Sequence, residues 1–277
     1  MSLRGNVVWM AETTGDSIDG AGRAVLRDPR WTAGRTGVRA ARDLARLVVP
    51  VNCPGCGAHD VRWCEECEAA WWEAPLRSES SAPRLDTDGR APLPVWAIAE
   101  LAGPSHAMVV AWKDGARRDL DRLFADAMER AAVAIAPALE GGGVRESRTA
   151  VAVVPVPARS ASTRARGIDL PRLLANAAAA GLNSAGVSAD VRPILSIGRG
   201  EQRGASARQR WRQSGSMRAN GISAPPAIAL LVDDVITTGA TFAAAVRALD
   251  VTFLTVGGGL CVASAPPFGA RPPRALS

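Results

Sequence analysis

The chain has 277 residues, 47% of them hydrophobic, which is enough for one α/β domain of ordinary size and a smaller module. It contains no run of 18 apolar residues, and its first 22 residues are mixed and polar, which argues against a membrane span or a secretory leader and makes a cytoplasmic location the expectation. The net charge is +6, and Lys113 is the only lysine among 33 lysines and arginines. Arginine offers a planar fork of donors suited to phosphate, but GC-rich coding produces the same bias, so only local arginine clusters are informative.

Residues 1–36 mix Gly, Arg, Asp and Thr without a sustained period and read as a disordered arm. Residues 37–49 place Val38, Ala41, Leu44, Ala45 and Val48 on one helical face, and Pro50 and Pro54 end that helix. Next come Cys53, Cys56, Cys64 and Cys67, two C-x2-C knuckles inside 15 residues. Four thiolates close a tetrahedral shell around zinc and leave no open position for catalysis; an iron centre or a redox pair is the alternative. So short a segment has little core of its own, so metal is expected to be its main stabilisation, with Trp63, Trp71 and Trp72 packed beside it. His59 and His106 read as bystanders. Residues 37–74 thus form a helix plus a four-cysteine zinc-binding module.

Residues 75–94 are rich in Pro, Ser, Arg and Asp and read as a linker. Residues 95–101 and 107–112 read as short strands, and 117–135 as a helix with Leu120, Leu123, Phe124, Ala127, Ala131 and Ile135 on one face. From residue 149 continuous apolar runs alternate with helical segments. Strands are expected at 150–156, 191–197, 228–232 and 251–257, and helices at 169–180, closed by Gly181, and at 239–249. Strands apolar on both faces and separated by helices predict a parallel sheet covered on both sides. The domain so defined runs over 95–264, Cys261 reads as a buried strand-end thiol, and 265–277 is a Pro-rich tail.

The most informative stretch is Leu230-Leu231-Val232-Asp233-Asp234-Val235-Ile236-Thr237-Thr238-Gly239-Ala240-Thr241. A buried strand runs into two adjacent carboxylates, then into a turn of small hydroxyl residues and glycine, then into a helix. Open α/β sheets bind ligands at the C-terminal ends of their strands. The backbone N–H groups of 237–241 and the start of the helix suit a phosphate. Asp233 and Asp234, acceptors when ionised, suit the vicinal hydroxyls of a ribose. An ordinary helix cap after a core strand is the competing reading.

This segment resembles the phosphoribosyl diphosphate (PRPP) motif of type I phosphoribosyltransferases. The resemblance implies that Asp233 and Asp234 are the catalytic pair and hold the ribose hydroxyls, while Thr237, Thr238, Gly239, Ala240 and Thr241 hold the 5-phosphate. The four-cysteine cluster, the segment Trp112-Lys113-Asp114-Gly115, the strand end Val153-Val154-Pro155-Val156-Pro157 and the turn Arg159-Ser160-Ala161-Ser162-Thr163-Arg164-Ala165-Arg166-Gly167 follow in an order similar to the ComF/GntX group, which is associated with DNA uptake and competence. Ile168-Asp169-Leu170 departs from that group by lacking its aromatic and its polar position. The implied fold is a type I phosphoribosyltransferase-like α/β sheet flanked by helices, with a small N-terminal zinc-knuckle module.

By the same resemblance Ala158, Arg159 and Lys113 are candidates for the diphosphate, against a solvated arginine and an ordinary surface lysine. Residues 198–218 carry Arg199, Arg203, Arg208, Arg210, Arg212 and Arg218 against one acid, Glu201. They read as a hood closing over reactants, with Arg203, Arg208 and Arg210 delivered to the developing charge. Single-stranded DNA contact, with Trp211 stacking between two arginines, and a solvated helix are the other readings of that segment. Two functions follow. One is Mg²⁺-dependent transfer of a phosphoribosyl group between PRPP and a nitrogen base. The other is a non-enzymatic module that senses PRPP or a nucleotide and contacts single-stranded DNA or a DNA-uptake partner.

Overall fold

The computed structural model describes residues 51–85, 93–115, 117–139, 150–157, 167–197, 217–220, 227–252 and 254–266. The expected helix at 37–49, the arm, the Arg159 turn and most of the arginine-rich segment lie outside them.

Six strands make one mixed, mostly parallel sheet. Taken in chain order, β1 is Leu76–Arg77, β2 Val95–Glu100, β3 Val151–Pro155, β4 Ala189–Val191, β7 Ala227–Ile236 and β8 Leu254–Ser264. Their spatial order is β1-β2-β8-β7-β3-β4, and every pairing is parallel except that of the edge strand β1 with β2. Two further strands, β5 (Leu195–Ile197) and β6 (Met217–Ala219), form a separate antiparallel ribbon.

Helices cover both faces, which explains why the central strands are apolar at every position. In β3, Val151 and Val153 enter one hydrophobic cluster, while Ala152 and Val154 enter the other. The first cluster joins the sheet to α2 (Gly103–Lys113), α3 (Leu120–Leu139) and α4 (Leu170–Ser184). The second joins it to α5 (Ala240–Leu249) and the β5–β6 ribbon. The short helix α1 (Glu65–Ala69) belongs to the cysteine segment. No helix among the described residues is long and apolar enough to cross a membrane.

Several local expectations are corrected. Residues 107–112 are helical and lie inside α2. A short apolar run satisfies either period, and here Pro104 in the first turn, with Met108, Val109 and Trp112 buried on one side, makes it a helix. Gly181 does not close α4 but lies within it. A Cβ there would sit 2.1 Å from the Glu129 carbonyl oxygen, so glycine lets α4 cross α3 at close range. The run 191–197 is broken: Pro193 donates no N–H, and β4 and β5 on either side of it join different sheets. The last strand begins at Leu254 and continues to Ser264, so Cys261 lies within it rather than at its end.

Candidate functional site

The strand that carries the paired acids is longer than its apolar run. β7 continues through Asp233 and Asp234 to Ile236, with Asp233 opposite Cys261 of β8. The acids are therefore strand residues whose side chains alternate in direction. Asp234 is only 8% exposed. Its Oδ1 accepts a hydrogen bond from Lys113 Nζ at the end of α2, at 2.8 Å. Asp233 turns back on the chain, and its Oδ1 accepts from the Asp234 amide at 2.8 Å. Burial first, and then the neighbouring Asp234 charge, push the Asp233 carboxyl well above the usual range. Two carboxyls thus sit side by side in unequal states, one ion-paired and one biased toward its protonated form.

Beyond β7, Thr237, Thr238 and Thr241 are exposed while Gly239 is buried. Gly239 sits just before α5 with φ of 74°, left-handed backbone that glycine adopts without strain. Among the described residues, the amides of Thr237, Thr238 and Gly239 donate to no protein acceptor. The Ala240 amide makes only a long contact of 3.4 Å to Thr238 Oγ1. Open amides at the start of a helix are suited to an anion.

The turn is buttressed by a stretch whose composition reads as a linker. Two 3₁₀ turns, Glu79–Ser81 and Pro83–Leu85, follow β1. The Arg84 amide donates to the Thr238 carbonyl at 3.0 Å. A Cβ on Gly239 would lie 2.9 Å from both Ala82 Cβ and Leu85 Cγ. Composition shows the Pro/Ser bias of this segment but not what it touches.

Of the other expected site residues, Lys113 is brought to the acids themselves. Ala158, Arg159, Arg203, Arg208 and Arg210 lie outside the described residues. β3 ends beside β7, with the Val156 amide donating to the Val232 carbonyl at 2.9 Å. The β5–β6 ribbon brackets the arginine-rich segment, and Arg218 lies on β6, exposed.

The second site is the cysteine cluster. The sulfurs of Cys53, Cys56, Cys64 and Cys67 all lie within 4.8 Å of one another. Two of the separations are 3.9 Å (Cys53–Cys64) and 3.5 Å (Cys56–Cys64). Zn–S bonds of about 2.3 Å in a tetrahedron require sulfurs about 3.8 Å apart, so the set fits a zinc ion. The first knuckle closes through Gly57 N–H to the Cys53 carbonyl (2.9 Å) and Cys53 N–H to the Ala58 carbonyl (2.8 Å). Gly55 is required for contact, since a Cβ there would come 2.6 Å from Cys67 Sγ. Burial opposes ionisation of Cys53, but the amides of Cys56, Cys64 and Gly55 outweigh it and hold that thiol at about 6. Burial and hydrogen bonds with the other three thiols push Cys67 well up. Four thiolates this close repel one another, and a bound dication removes that repulsion.

The cluster is not without a core. Trp71, fully buried, meets Phe124 of α3 edge-on at 4.7 Å, and its Nε1–H points at Met108 Sδ of α2 at 3.3 Å. Trp63 and Trp72 stay nearer the surface and share Glu68, at 3.0 and 3.4 Å. Arg130 donates to the carbonyls of Trp71 and Glu73. The cysteine segment is therefore packed into the first hydrophobic cluster and has apolar stabilisation of its own.

No family model matches the chain, and no curated protein is detectably similar to it in sequence.

Proposed function

We propose that the rim formed by β7 and α5 binds a 5-phosphorylated ribose as PRPP, and that the protein transfers the phosphoribosyl group to or from a nitrogen base. The observation that carries this reading is the sequence of two adjacent acids, three amides with no acceptor among the described residues and a helix start within one short segment. In this reading the amides of Thr237, Thr238 and Gly239 and the nearby hydroxyls take the 5-phosphate. Asp233 and Asp234 orient the ribose hydroxyls, with Asp233 able to donate or accept because burial favours its proton. Bound Mg²⁺ would supply charge neutralisation to the diphosphate. A base nitrogen forms its bond to C1 of the ribose as the C1–O bond to diphosphate breaks, and the electron pair leaves on diphosphate. The four cysteines hold zinc in a structural role. Kinship with the ComF group is part of the same proposal, supported by the order of motifs along the chain.

The test is a thermal-shift comparison of PRPP with Mg²⁺ on the native protein and on an Asp233→Ala, Asp234→Ala double variant. It is joined by an assay for PRPP-dependent exchange of labelled diphosphate with a panel of bases. Stabilisation by PRPP that the double variant loses supports the reading. No shift and no exchange with any base would sink it.

A further inference from the structure

We propose that Arg117 is a positioning residue that ties the cysteine cluster to Lys113, so that a closed cluster holds the lysine against Asp234. The inference stands whatever the rim binds, because it rests on contacts within the protein.

Arg117 lies in the turn between α2 and α3, four residues after Lys113. Its peptide N–H donates to the Ala111 carbonyl at 3.2 Å, which folds the turn back onto the last turn of α2. Its guanidinium reaches the cysteine segment at two points. Nη1 donates to the Asn52 carbonyl at 3.1 Å, and Nη2 donates to the Arg62 carbonyl at 2.9 Å. Asn52 precedes Cys53 and Arg62 stands two residues before Cys64, so one guanidinium spans the entries to both knuckles. Asp119 holds it in plane with two bonds of 2.8 Å and also accepts from Arg62 Nε at 3.4 Å.

On the other side, Trp112 next to Lys113 donates from Nε1 to Asp121 Oδ1 at 2.8 Å and packs on Phe124 with ring centroids 4.4 Å apart. The end of α2 is thus anchored both by α3 and by the cysteine segment, and Lys113 projects from it to Asp234. The two carbonyls that receive Arg117 come from separate stretches of chain, each leading into one of the two knuckles whose four sulfurs are gathered. Once the cluster opens, Arg117 loses that pair of acceptors and the turn loses one of its two anchors. A hydrogen bond weakens steeply with displacement, so a small shift at the end of α2 is enough to release Lys113.

Lys113 is the only lysine in the chain, which makes the test direct. The protein is loaded with zinc and treated with an amine-acylating reagent, and the labelling rate of the Lys113 peptide is read by mass spectrometry. The native protein is compared with Asp234→Asn, Arg117→Gln and the double variant, and zinc content is measured in each. Asp234→Asn removes the negative charge of the partner carboxylate, and its rate calibrates the free lysine at about threefold or more above native. Arg117→Gln is expected to raise the rate by a similar factor, and to add nothing in the Asp234→Asn background, because both changes act on one contact. Chelation of the native protein raises the rate as well, and returning zinc restores it.

An unchanged rate in Arg117→Gln overturns the proposal, and so does an unchanged rate in Asp234→Asn. A rise of the same factor in both backgrounds also overturns it, because that is the mark of general loosening or unfolding. Failure to bind PRPP leaves all of these outcomes readable.

Discussion

Lys113 Nζ meets Asp234 Oδ1 at 2.8 Å although 121 residues separate the two in the chain. The pair lies at the junction of α2 with β7 and is mostly shielded, with 26% and 12% of the respective side chains exposed. A ligand hydroxyl that uses Asp234 must share it with this lysine or displace it.

Lys113→Met leaves Asp234 under cover without its cation. Exposed pairs contribute well under 1 kcal/mol and fully buried ones, when broken, cost several, so a part-exposed pair places the loss at about 1–2 kcal/mol. Urea denaturation at neutral pH measures it, and a midpoint equal to that of the native protein would show that the pair contributes nothing in solution.

Asp233 makes the stability depend on pH with a defined sign. Its folded carboxyl is raised well above 3.8 by burial and by Asp234, so the folded state binds the proton more tightly than the unfolded chain. The associated stability is fully present below about pH 4 and is lost as pH rises through the folded value. Asp233→Asn removes this loss. The variant is therefore expected to gain on the native protein as pH increases from about 4 and to hold a constant advantage once the native carboxyl is fully ionised. Unfolding free energies of the two proteins across pH 4–8 decide the matter, and parallel curves would contradict the shift.

Gly239→Ala places a side chain on left-handed backbone and drives a methyl to 2.9 Å from Ala82 and Leu85. The conformational cost of about 1–2 kcal/mol and overpacking of about 1–3 kcal/mol add up to roughly 2–5 kcal/mol. Because the Arg84 amide is bonded to Thr238, the variant should also raise hydrogen exchange at Arg84 above any change in β3. Equal exchange at both places would argue against the buttress.

Gly55→Ala sets a methyl 2.6 Å from Cys67 Sγ and 3.3 Å from Met108 Cγ. Since the sulfur and the α2 side chain must both move, zinc affinity is expected to fall by roughly 10- to 100-fold, the range seen when the surroundings of metal ligands are disturbed. Competition with a colorimetric chelator gives the affinity. The fold should survive, because Trp71 remains packed on Phe124, and a far-ultraviolet circular dichroism spectrum like that of the native protein checks this.

Chemistry confined to short stretches of chain was readable from residue order alone. C-x2-C spacing brings two thiols into one turn wherever it occurs, and the four sulfurs are indeed gathered. The paired acids and the Thr-Thr-Gly turn are consecutive residues, so their order on a strand, a turn and a helix start follows from local geometry. Continuous apolar runs announced strands buried on both faces, because a sheet covered on both sides demands that pattern. Contacts between distant elements were decided only in three dimensions. Residues 107–112 satisfy strand and helix patterns alike, and burial of Met108 and Trp112 against neighbouring elements settles them as helix. Gly181 carries the same local signal whether it ends a helix or admits another one, and the approach of Glu129 makes the difference. The hold of Lys113 on Asp234, the seat of Trp71 beside Phe124 and the brace of Arg84 on Thr238 join residues far apart in the chain. Periodicity and composition describe which face of an element is apolar, whereas the partner that each face meets depends on how all the elements pack at once.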